Sequence, residues 1–121
     1  MQRDYSAYLE HILDCISSIE EYTENLSYAE FLKDKKTIEA VIRNLEVIGE
    51  ASTKISKSFR EKYPDVPWKS MIGLRNILIH EYFGVDKDAV WGNIKKNLPE
   101  LKKQIQSIIE EEDSQSRNPK I

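Results

Sequence analysis

From Asp4 to about Asn25 the apolar residues Tyr5, Tyr8, Leu9, Ile12, Ile16 and Ile19 recur at steps of three and four, with acids between them. That period predicts an amphipathic helix with one buried stripe. Cys15 borders the stripe and reads as a small core residue, because nothing near it in sequence would lower its pKa. His11 falls beside the stripe and is expected at the surface. Ser27-Tyr28-Ala29-Glu30 has capping-box spacing and predicts a short helical turn, with Phe31 and Leu32 as its apolar contacts. Asp34 can cap a second long helix, in which Ile38, Val41, Ile42, Leu45, Ile48, Ile55 and Phe59 keep the helical period to about Tyr63. Its length would be about 25 residues, or roughly 40 Å. Gly49 inside it costs about 1 kcal/mol of helix stability against Ala, and the close approach of another helix is the economical reason for it.

Pro64 and Pro67 end one helix and start the next, since proline is tolerated in a first turn but not in an interior. Trp68 stands at that entrance as a packing anchor. The third helix is expected from about Pro67 to about His80, burying Met71, Leu74, Ile77 and Leu78, with Gly84 marking its departure. Asp86 can cap a further helix carrying Val90, Trp91 and Ile94. Pro99 interrupts or restarts it before Leu101, Ile105, Ile108 and Ile109. Beyond Glu110 almost nothing is apolar, so residues 1–112 read as a single helical domain and 113–121 as a disordered tail. No period-two alternation or hairpin turn signal occurs, and the expected fold is all-α: an antiparallel bundle of about five helical segments.

Length and composition fit this picture. A chain of 121 residues, 40% hydrophobic and 32% charged, can bury one core without disulfides or metals. No apolar run approaches the roughly 20 residues that span a bilayer. The opening MQRDYSAYLEHI has neither a signal peptide's apolar core nor its cleavage site, so a cytoplasmic location is expected and no membrane partner. One cysteine and two distant histidines leave no disulfide and no zinc-type spacing. There is no GxGxxG and no Walker lysine motif, and neither a metal nor another cofactor is expected.

Charge adds one asymmetry. The net charge of −3 argues against a protein that coats nucleic acid indiscriminately. Residues 1–32 carry one Arg and seven acids, whereas residues 54–69 carry five bases and two acids. Lys54, Lys57, Arg60, Lys62 and Lys69 could steer a phosphate chain or could simply be a solvated helix face.

The densest candidate chemistry lies between Gly73 and Asp86, where Arg75, Asn76, His80 and Tyr82 sit among Leu74, Ile77, Leu78 and Ile79. Arg75 is a fixed cation with a fork of donors, and His80 can exchange a proton near neutrality. The pair suits phosphate chemistry. The plainer reading is a helix end with a cation facing the carbonyl dipole, and composition alone favours it. Five residues apart, Arg75 and His80 are separated by about 140° around an unbroken helix. Either the helix ends near His80 and re-aims the ring, or two copies of the motif complete one another across a two-fold axis. Asn76 and His80, four apart, share a face, so the amide could set the imidazole tautomer or make a purely structural bond. Arg43, Asn44, Glu46 and Glu50 form a polar edge open to a dimer contact, a cleft or solvent.

The segment RNILIHEY resembles the Arg-x4-His-x-Tyr pattern of the HepT-like ribonuclease toxins of the HEPN superfamily. The flanks resemble it too: RNLEVIGEA at 43–51, YPDVPWKSMIGLRN at 63–76 and YFGVDKDAVW at 82–91. The likeness runs from about Tyr8 to Ile109. It implies a HEPN-like bundle and a homodimer whose two motifs meet. It implies the toxin of a type VII toxin–antitoxin system, a metal-independent endoribonuclease acting on RNA. Arg75 and His80 would be catalytic, with Asn76 in support by its shared face with His80, and attack by the ribose 2′-hydroxyl would leave a 2′,3′-cyclic phosphate and a 5′-hydroxyl. It also implies that an MNT-type nucleotidyltransferase antitoxin transfers AMP to Tyr82 and so neutralises the toxin. The alternative is a non-catalytic helical subunit that partners a minimal nucleotidyltransferase.

Overall fold

The computed structural model describes residues 5–80 and 86–117, the side chains of His80, Ser116 and Arg117 excepted. All regular elements among them are helical: α1 (Ser6–Thr23), α2 (Tyr28–Lys33), α3 (Lys35–Thr53), α4 (Lys57–Lys62), α5 (Trp68–His80), α6 (Lys87–Gly92), a π-helical turn (Asn93–Asn97) and α7 (Leu98–Arg117). None of these helices is long and apolar enough to cross a membrane.

The stripe of α1 is buried as its spacing predicts, through Leu9, Ile12, Cys15, Ile16 and Ile19. Burial pushes the Cys15 thiol up, with Asp14 adding to the shift and Arg43 opposing it, so the sulfur is an inert part of the core. The stripe lies against α3 and α7, and α3 in turn packs along α5. Ile38, Val41, Ile42, Leu45 and Ile48 of α3 fill the centre, and Leu98, Leu101, Ile105 and Ile108 of α7 close it.

The caps are local and fall where the sequence puts them. Glu30 N donates to Ser27 Oγ (3.1 Å) and Ser27 N to Glu30 Oε1 (2.8 Å), the reciprocal pair that starts α2. Phe31 is fully buried and meets Trp91 of α6 at 4.9 Å, while Leu32, expected as a second contact, is exposed. Thr37 N and Oγ1 both donate to the Asp34 carboxylate, which starts α3 and lowers the Asp34 pKa. Asp86 accepts from Asp88 N and Ala89 N at the head of α6.

Two expectations need correction. The second long helix does not run unbroken to Tyr63. Ser52 Oγ donates to Ile48 O and Thr53 Oγ1 to Glu50 O, and these hydroxyls compete with the backbone ladder where α3 ends. Ser56 then caps α4 through Phe59 N (3.2 Å). α7 itself continues to Arg117. Lys62 Nζ donates to Glu112 Oε2 (2.9 Å) and Gln115 Oε1 (3.2 Å), and the Tyr63 hydroxyl donates to Glu112, so α4 clasps the end of α7. Ile77, placed in the core by its apolar character, is 53% exposed.

Pro99 neither breaks nor ends the helix that contains it. Leu98 N donates to Asn93 O, five residues back, and this widened turn makes room for a proline ring that would otherwise crowd the preceding carbonyl.

Candidate functional site

The site forms where α5 crosses α3. A Cβ added to Gly49 would lie 2.3 Å from Arg75 Cβ and 2.8 Å from Met71 O, so the bare glycine is what lets the helices touch here. This is the close approach that the mid-helix glycine implies. Trp68 fixes the start of α5, being buried with its indole Nε1 donating to Tyr63 O at 3.0 Å. Met71 and Leu78 face inward, and Arg75 lies between them on the side turned toward α3.

The guanidinium is held from two sides. Arg75 Nη2 pairs with Glu50 Oε2 at 2.6 Å, and Nη1 donates to Asn76 Oδ1 at 2.8 Å. Its Nε is buried and unpartnered among the described residues. With the side chain 30% exposed, the fork is aimed rather than free to swing, while part of its donor face stays open to an anion. Glu50 also reaches Lys54 at 4.0 Å. Of the polar edge on α3, only Glu50 joins the site. Arg43 pairs with Glu46 at 3.6 Å and Asn44 bonds Ala40 O at 2.9 Å, both within α3.

Asn76 is exposed, and its carbonyl oxygen serves Arg75, a partner that sequence spacing did not suggest. His80 is the last residue of α5; its side chain, and Tyr82 with residues 81–85, lie outside the described residues. The backbone is therefore helical from Arg75 to His80, and the two positions point about 140° apart. Around them Ile77 and Ile79 are 53% and 47% exposed, large apolar side chains left uncovered beside a polar motif.

Glu50 is the member that sequence reasoning left open, and a signal for it existed. It directly follows Gly49, so the residue that admits α5 stands next to the one that meets the arginine of α5.

A cavity of about 410 Å³ lies on another side of α5, over Leu45, Met71 and Leu74, rimmed by Asp65, Asn97 and Glu100. Among the described residues no cation lines it, so it does not suit a phosphate.

The model of the family described as ribonuclease HepT-like matches residues 12–108. Among curated proteins, "Putative RNase MJ1380" of Methanocaldococcus jannaschii is 48% identical, over 88% of this chain and 98% of that protein. "Probable ribonuclease HepT" of Thermococcus cleftensis is 44% identical, over 89% of this chain and 98% of that protein. No solved structure matches the chain significantly.

Proposed function

The chain belongs to the HepT-like ribonuclease family, and from that premise we propose that it is a metal-independent endoribonuclease, the toxin of a type VII toxin–antitoxin pair. The observation that carries this reading is the seating of Arg75, which Glu50 and Asn76 hold on an exposed edge of the same helix that ends in His80.

In the reaction, His80 takes the proton of a ribose 2′-hydroxyl. The oxygen attacks the adjacent phosphorus, the bond from phosphorus to O5′ breaks, and the leaving oxygen is protonated. A cyclic 2′,3′-phosphate and a 5′-hydroxyl result. Positioned proton transfer contributes about 10² to 10⁴ in rate. Arg75 stabilises the charge that builds on the non-bridging oxygens, a contribution of roughly 3 to 4 kcal/mol for a preorganised donor. DNA lacks the attacking hydroxyl and is not a substrate by this route.

The angular separation on α5 favours a site shared by two copies, in which Arg75 of one protomer and His80 of the other address one phosphate. Ile77 and Ile79 supply the apolar surface for such a two-fold contact. Regulation centres on Tyr82. Its phenolic oxygen attacks the α-phosphorus of ATP held by a separate nucleotidyltransferase, and pyrophosphate leaves. The attached AMP adds negative charge and an adenosine to the motif segment, and both oppose the binding of RNA.

The test is cleavage of an RNA oligonucleotide by wild type, Arg75→Ala and His80→Ala, with end-group analysis and EDTA present. Loss of cleavage in both variants with helicity retained, a cyclic phosphate end and indifference to EDTA are expected. Cleavage unaffected by either substitution, or restored after EDTA only by magnesium or manganese, overturns the reading.

A further inference from the structure

Of the five cations between residues 54 and 69, two are engaged by acids. Lys54 pairs with Glu50 at 4.0 Å and Lys62 with Glu112 at 2.9 Å. Lys57, Arg60 and Lys69 have no acidic partner among the described residues, and all three line one open cleft of about 400 Å³ between α4 and the start of α5. Glu61 is its single acid among the described residues. Arg60 Nε is buried there without a hydrogen-bond acceptor.

The backbone adds to the same charge. Trp68 N donates to Val66 O and Met71 N to Pro67 O, which leaves the amides of Lys69 and Ser70 without an acceptor among the described residues. They lie at the positive end of α5, and both residues line the cleft. Its walls are stiff, formed by Pro64, Pro67 and the buried Trp68.

We infer that this cleft binds a phosphodiester of the RNA strand, at a point separate from the phosphate that is cut. That the strand is RNA rests on the ribonuclease reading above; that the ligand is an oxyanion rests on the cleft. Lys69, Gly73, Asn76 and His80 occupy one register of α5, over about 16 Å. Apart from its own helix backbone and chain neighbours, no described atom lies within 4 Å of where a Gly73 side chain would be. A strand anchored at Lys69 can therefore pass over Gly73 on its way along the helix to the motif at its far end. The cleft sets affinity and register; the motif does the chemistry.

The test compares wild type with Lys57→Gln/Lys69→Gln and with a control of equal charge loss, Lys35→Gln/Lys36→Gln, on exposed positions at the head of α3. Binding is read by anisotropy with a fully 2′-O-methylated RNA oligomer, which cannot be cut. The slope of log affinity against log salt should fall by about 0.7 in the cleft variant, the value for one phosphate contact on a single strand, and stay unchanged in the control. With cleavable RNA, KM should rise several-fold at constant kcat, while a dinucleotide too short to reach the cleft should be cut equally by both proteins.

Equal slopes in wild type and the cleft variant overturn the inference, and so does an equal loss in the control. The expected slopes in a protein that cuts no RNA support the cleft and refute the ribonuclease reading instead. Intact cleavage with unchanged slopes refutes only the cleft.

Discussion

Gly49 and Arg75, on different helices, occupy one another's space: the side chain that Gly49 lacks would sit 2.3 Å from Arg75 Cβ. Gly49→Ala should improve the intrinsic propensity of α3 by about 1 kcal/mol and still destabilise the protein, because the overlap is with a Cβ and a backbone carbonyl that cannot swing away. A net loss of roughly 1–2 kcal/mol in urea unfolding is expected, together with weaker RNA cleavage as α5 is pushed off α3. An unchanged or higher midpoint would show that the crossing yields easily.

Glu50 is a positioning residue for Arg75. Because the pair is partly exposed, at 30% and 47%, Glu50→Ala should change stability by less than about 1 kcal/mol. It should lower kcat about tenfold by letting the guanidinium swing, with KM little altered, and Glu50→Asp should recover only part of the loss. A fall in KM without a fall in kcat would mean that Glu50 shields the arginine instead of aiming it.

Ile77 is already 53% exposed, so Ile77→Glu removes little buried surface and should fold normally. On a shared site it should dissociate the dimer and abolish cleavage together. Light scattering that shows an active monomer would refute the two-copy arrangement.

Tyr82→Phe should keep ribonuclease activity and resist neutralisation when co-expressed with the cognate nucleotidyltransferase. Mass spectrometry of the wild type should place added AMP on the Tyr82 peptide. A mass shift confined to Tyr63, whose hydroxyl donates to Glu112, would assign the modification elsewhere.

The clasp between α4 and α7 should be lost in acid. Burial raises the Glu112 pKa, but hydrogen bonds from Tyr63 and Lys62 outweigh it, so the folded value lies below the ordinary 4.5. Its contribution is therefore present above that ordinary value and disappears as pH falls through the lowered one. Amide exchange in the last turns of α7 should speed up across that window, and Glu112→Gln should make it fast at every pH.

The parts of this structure legible in the sequence are those that neighbours decide. The α1 stripe and the caps at Ser27, Asp34 and Asp86 depend on residues within a turn of one another. The break after Thr53 was hidden because Ile55 and Phe59 keep the apolar phase across it while two hydroxyls end the ladder beneath. Ile77 was placed inside because the run from Leu74 to Ile79 is apolar at four of six positions and has no single stripe. Only the packing of α5 on α3 chooses Leu78 over Ile77. The helical end of α7 depends on Lys62 and Tyr63, about fifty positions away, which no local pattern reports. In the site, Arg75 was legible as a candidate from its motif, but its bond to Glu50 joins residues on separate helices.

The unbroken helical path from Arg75 to His80 also bears on dosage. On the two-copy site proposed above, a single copy seats its own arginine through Glu50 but has no histidine opposite, so a newly made chain would be inactive until it meets another. At concentrations below the dimer dissociation constant, activity then rises with the square of expression. On the proposed toxin reading, a cell would tolerate leaky synthesis of the lone chain, and damage would begin at a threshold set by the proposed contact through Ile77.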